Sequence, residues 1–169
     1  MPKMVPKPRI VVVPARPDDM DALRVLFREY AGWLQVDYCL KDFEAEIAAL
    51  PGPCVPPAGG LWLARVDGDV AGAVALKPLG VNLVGGSAEM KRLWVREAYR
   101  GLKLGRGLAR AAIEGARAAG HRRVVLETLD FMDSARALYA DLGFVEEPRG
   151  GAPDNVHRLR CDLAARATV

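Results

Sequence analysis

Residues 89–107 read EMKRLWVREAYRGLKLGRG. Glu89 to Val95 alternates and is rich in apolar side chains, as a strand is. The following loop concentrates Arg100, Gly101, Lys103, Gly105 and Gly107, and a helix opens directly from it, from about Gly105 to Ala119. Leu104, Leu108, Ala112 and Ala116 fall four apart on one stripe of that helix, and Gly120 ends it. Its start carries no Ser, Thr, Asp or Asn to satisfy the first N–H groups. Arg106 and Arg110 stand at its positive end, the wrong sign for the helix dipole. Both oddities vanish if an anion such as a pyrophosphate sits there, held by backbone N–H groups and cations. The plainer alternative is a glycine-rich turn with solvated arginines.

Outward from this stretch the punctuation is clear. Arg9 to Arg16 is Val-rich and bounded by prolines, a first strand. Asp18 or Asp19 caps a helix with Met20, Leu23, Leu26, Phe27 and Tyr30 on one face, and Asp42 to Leu50 fits a second, shorter one. Pro51 to Gly60 is a loop. Leu61 to Val66 and Val70 to Leu76 flank Asp67-Gly68-Asp69, a hairpin signal. Arg123 to Thr128 reads as a strand, Ser134 to Leu142 as a helix, Phe144 as the start of a short strand, and Val156 to Leu163 as a final edge strand. The order β-α-α-β-β-β-α-β-α-β-β predicts an α/β (α+β) fold, a mixed sheet with helices on both faces.

The chain has 169 residues, half of them apolar, which predicts one domain over 1–169, with residues 1–8 as a flexible N-terminal extension. The net charge of +3 is too small to argue for nucleic acid, and no apolar run is long enough for a membrane span. Cys39, Cys54 and Cys161 are odd in number and scattered, and read as reduced thiols of a cytoplasmic protein. His121 and His157 lack ligand-spaced partners, so no metal is expected.

One phosphate-binding alternative is a dinucleotide fold: Gly105, Gly107 and Arg110 give only G-x-G-x-x-R, with Glu127 placed for a ribose. The stronger match is to the GNAT superfamily of acetyl-CoA-dependent N-acetyltransferases. Arg100-Gly101-Leu102-Lys103-Leu104-Gly105 resembles its Q/R-x-x-G-x-G/A pyrophosphate loop, with Lys103 in place of a glycine. Residues 89–95 look like its fourth strand, and Ala135 to Phe144 is similar to its A-x-x-L-Y-x-x-x-G-F signature.

The resemblance implies a mostly antiparallel sheet whose fourth and fifth strands splay, with the pantetheine of acetyl-CoA pairing to the backbone of Leu93, Trp94 and Val95. It implies that Arg100, Gly101, Leu102, Lys103, Leu104, Gly105, Arg106 and Gly107 hold the pyrophosphate, and that Tyr139 protonates the departing thiolate. Glu89 lies eleven residues before Arg100, where some members carry a base, and alternation sets it in phase with Lys91, Leu93 and Val95. Pairing to Arg92 or another cation is its structural alternative. Asp37, Asp42, Glu44 and Glu46 lie where the family builds its acceptor cleft and would suit a cationic amine; a solvated face is the plainer reading of Glu44 and Glu46. Trp33, Tyr38 and Trp62 are candidates for a pocket lining or for the core. The expected partner is a small-molecule or peptide amine, with no nucleic acid and no membrane; a homodimer is allowed. A non-catalytic acyl-CoA-binding domain of the same fold is the rival function, ahead of an NAD(P)-dependent oxidoreductase.

Overall fold

The computed structural model describes residues 2–35, 40–80 and 86–164. Among the described residues seven strands form one sheet in the order β1-β2-β3-β4-β5-β7-β6. They are β1 (Ile10–Pro14), β2 (Gly60–Val66), β3 (Asp69–Leu79), β4 (Ser87–Val95), β5 (Arg123–Leu129), β6 (Val145–Glu147) and β7 (Val156–Asp162). Every pairing is antiparallel except β4 with β5. The hairpin joining β2 to β3 turns on Asp67 and Gly68, whose φ of 50° and 88° are the two positive values a tight primed turn needs. A dinucleotide fold requires a parallel sheet, so that alternative is overturned.

Among the described residues four helices cover the sheet: α1 (Met20–Leu34), α2 (Phe43–Ala48), α3 (Leu104–Ala118) and α4 (Asp133–Asp141). Alternation along the strands divides the core in two. Ala64 and Val66 of β2, Val74 and Leu76 of β3, and Ala88 and Met90 of β4 pack against α3, joined by Tyr139 of α4. Leu61, Leu63, Ala73 and Ala75 pack on the other face against Leu23, Leu26 and Phe27 of α1 and Phe43 and Ile47 of α2. Helices therefore lie on both faces. Two glycines make the slot for Trp62: a Cβ at Gly60 or Gly115 would come within 2.6 Å of its ring.

Two expectations are corrected. The segment from Val156 does form a strand, but β7 lies between β5 and β6, and the three-residue β6 takes the edge. The polar residues that made it resemble an edge find partners inside the sheet: His157 bridges Asp130 and Glu146. Asp19 precedes α1 but does not cap it; its carboxylate accepts from the Arg16 N–H at 2.8 Å and from Arg65 at 2.9 Å.

Candidate active site

β4 carries a bulge that builds the site. Ala75 pairs with Lys91 and Ala73 with Trp94, so Val74 faces two residues, Arg92 and Leu93, and Arg92 takes φ 60°. Lys91 and Arg92 consequently both reach Glu46 of α2, at 3.0 and 2.7 Å. Burial pushes the Glu46 carboxyl up, but the Arg92 and Lys91 hydrogen bonds outweigh it and hold the group below the usual range. Glu46 is thus a clasp between α2 and the bulge, not a solvated helix residue. Glu44 is solvated, with Arg28 at 3.8 Å.

The bulge also corrects the alternation expected for Glu89. Leu93 and Val95 pack toward α3, while Trp94 packs toward α1 and α2. Ala88 and Met90 point toward α3 before the bulge, so Glu89 and Lys91 lie on the face opposite Leu93 and Val95. A regular strand would have kept all four together.

β4 and β5 pair only from Ser87↔Arg123 to Glu89↔Val125 and then diverge. The gap opens into a cavity of about 960 Å³. Leu93, Trp94, Val95 and the helix-start residues Arg100, Gly101, Lys103, Leu104 and Gly105 line it. At that start Gly101 has φ 89° and Lys103 φ 60°, and no side chain caps α3. The first intrahelical bond runs from Gly107 N–H to Lys103 C=O at 3.2 Å, leaving the earlier N–H groups for an anion. A Cβ on Gly105 would meet only Leu138 Cδ2, at 3.7 Å, so the space above it is open.

Three residues expected in the phosphate loop stand off the cavity. Leu102 packs on the core, and Arg106 pairs with Asp141 of α4 at 2.5 Å. The Gly107 α-carbon faces Val12, which a Cβ would approach to 3.3 Å, and its N–H is already bonded within the helix. Arg100 lies over the Trp94 ring, 5.2 Å from its centroid, and donates to the Val95 carbonyl at 3.2 Å.

Tyr139 lines the cavity from α4. Its ring is buried edge-on against Phe144, with centroids 5.7 Å apart. Burial, with a smaller contribution from the Tyr30 phenol, pushes its pKa well above the usual tyrosine value. The phenol therefore stays protonated, as a proton donor must.

Glu127, expected only as the ribose-binding acid of the dinucleotide alternative, also lines the cavity. It lies on β5 two residues beyond Val125, the partner of Glu89, so both carboxylates flank the point where the strands part. Its side chain is exposed to solvent, with Arg158 of β7 as its cross-strand neighbour. Burial first, and then the Glu89 charge, push its carboxyl above the usual range, against the pull of Arg158 and Lys91. An acid set among Val, Leu and Thr in the strand after Arg123 was the available signal. Of the expected acceptor residues, Asp37 and Tyr38 lie outside the described residues, Asp42 and Glu44 do not line the cavity, and Trp62 is core. Trp33 does line it, beside Tyr30, Trp94 and Phe131. Among the described residues no group of His, Cys, Asp and Glu is arranged to hold a metal, and no helix is long and apolar enough to cross a membrane.

A mixed sheet parted between its parallel pair, with an uncapped helix start beside the gap, is the GNAT fold. The acetyltransferase (GNAT) family signature matches residues 20–144, and the chain belongs to that family. It is 36% identical over 151 residues to an uncharacterized N-acetyltransferase of Schizosaccharomyces pombe, covering 88% of this chain and 91% of that one. A GNAT-family acetyltransferase from Staphylococcus aureus superposes with TM-score 0.73 at 20% identity, covering 92% of this chain and all of that one. The yncA protein of Salmonella typhimurium, solved with its cofactor acetyl-CoA, gives TM-score 0.67 at 18% identity, covering 94% and 96%.

Proposed function

We propose that the protein transfers an acetyl group from acetyl-CoA to a primary amine by direct attack within a ternary complex. The observation that carries this reading is the juxtaposition of an open, uncapped helix start, a parted strand pair and a buried, protonated tyrosine around one cavity. The free N–H groups before Gly107, with Arg100 and Lys103, fit the pyrophosphate of acetyl-CoA. The backbone of β4 from Leu93 to Val95 fits the amides of its pantetheine arm. The amine approaches from the α1 side, gives up its proton at the Glu89–Glu127 pair and attacks the thioester carbon. As the C–S bond breaks, Tyr139 gives its proton to the thiolate sulfur.

Free-thiol release from acetyl-CoA, followed against a panel of amines, tests the reading. Its failure with every amine would leave the non-catalytic acyl-CoA-binding domain. Calorimetry of two loop variants tests the cradle separately. Gly105→Val fills open space above the helix start and should weaken acetyl-CoA binding at least about tenfold, roughly 1.4 kcal/mol, with little change in melting temperature. An unchanged affinity would place the phosphates elsewhere.

Lys103→Gly should act in two opposed directions. Lys103 holds a left-handed φ that disfavours any side chain, so glycine is expected to stabilise the protein by about 0.5–1 kcal/mol after its own entropic cost. The same change removes a cation from the cavity lining and should weaken acetyl-CoA binding several-fold. A variant that binds as tightly as the parent would show that Lys103 serves the turn alone.

A further inference from the structure

Four aromatic rings from three separate elements meet on the acceptor side of the cavity. Tyr30 and Trp33 come from α1, Trp94 from β4, and Phe131 from the connection after β5. The Trp33 centroid lies 5.5 Å from that of Trp94 and 5.8 Å from that of Phe131, and Tyr30 meets Trp94 at 6.0 Å. The core does not require two of these rings, since Trp33 is 47% and Phe131 55% exposed. Large aromatics left in mutual contact and open to water form a surface that gains from being covered. The corner is also held in shape: the Trp94 indole N–H donates to Glu29 at 3.2 Å, and Glu29 is gripped by Arg96 at 2.8 Å.

Charge narrows the occupant. Glu89 and Glu127 lie in the same cavity on the side away from α3, which suits one ammonium beside the flat apolar corner. Lys41 lines it as well and would repel a second positive charge, whereas Lys91 is held by Glu46 at 3.0 Å and stands 3.9 Å from Glu89. An extended polyamine or a basic peptide would gain little from the rings and would meet Lys41.

We infer that the acceptor is an aralkylamine, a single primary amine on a short chain from an aromatic ring, with its ring in the corner of Trp33, Trp94 and Phe131 and its ammonium at Glu89 and Glu127. The inference rests on the acetyl-transfer reading and names its substrate class. Ring burial and ring–ring contact together set the discrimination.

The test is equilibrium binding to the full chain saturated with CoA, comparing 2-phenylethylamine, propylamine and spermidine by calorimetry, alongside thiol release with the same three amines. 2-Phenylethylamine should bind about 10- to 100-fold more tightly than propylamine or spermidine. Trp33→Ala and Phe131→Ala should each remove about tenfold of that preference without changing CoA affinity, and Trp33→Phe should restore most of it. Equal binding of 2-phenylethylamine and propylamine, a preference for spermidine, no measurable binding of 2-phenylethylamine, or indifference to the Trp33 and Phe131 variants would each overturn the inference. Tight, Trp33-dependent binding without thiol release would uphold the subsite and overturn acetyl transfer.

Discussion

Replacing Tyr139 with Phe is expected to lower kcat roughly 10²-fold while acetyl-CoA affinity stays at the parent value. The substitution removes one oxygen and leaves the ring that packs on Phe144. Among the described residues the Tyr139 hydroxyl has no hydrogen-bond partner, so its loss should change stability by less than about 1 kcal/mol. That separates chemistry from packing: the hydroxyl contributes little to the fold, and Tyr139 lines the cavity where the thiolate would leave. Steady-state kinetics with calorimetric binding of acetyl-CoA provide the check. A variant with the parent's kcat and a lowered melting temperature would make Tyr139 a core residue and hand thiolate protonation to solvent.

Local pattern and pairing contribute differently to such a site. Element order follows from periodicity and from Gly, Pro and Asp punctuation, which are local, and the structure has the expected order throughout. The α3 start was legible for the same reason: a missing cap and misplaced arginines are properties of consecutive residues. Register is not local. The bulge at Arg92 depends on which residues of β3 face β4, and it moves Glu89 to the opposite face from Leu93 although the alternation is unbroken in sequence. The place of β7 inside the sheet likewise depends on pairing to β5. Arg106 looked like a phosphate ligand because Asp141, 35 positions on, has no sequence mark as its partner. The acceptor side was the least legible, since Trp33, Trp94, Glu127 and Phe131 come to line one cavity only when α1, β4 and β5 converge.

The last expectation concerns the carboxylate pair, and it divides the two glutamates by pH. An alkyl ammonium must lose a proton before it attacks, and its pKa lies near 10, as that of lysine does. Glu127, lifted by burial and by the neighbouring Glu89 charge, is the better proton acceptor near neutral pH. Glu127→Gln should therefore lower kcat/KM by about 10²- to 10³-fold, with acetyl-CoA binding intact. Glu89→Gln should cost less, roughly tenfold, because a charge that attracts the amine is lost but the acceptor of its proton remains. It should also move the acid limb of the pH–rate profile to lower pH, since removing a like charge lets the Glu127 carboxyl ionise more readily. Stability supplies an independent sign. A carboxyl whose pKa is higher in the folded than in the unfolded state favours folding below its unfolded value, and that contribution is lost as pH rises through the folded value. Glu127→Gln should accordingly raise the melting temperature at pH 7, and the gain should fade as the pH falls below the usual carboxyl range. A residue that lowers stability at neutral pH and is needed for turnover is held for chemistry. Parental kcat/KM in Glu127→Gln, or an acid limb unmoved by Glu89→Gln, would show that the amine loses its proton elsewhere.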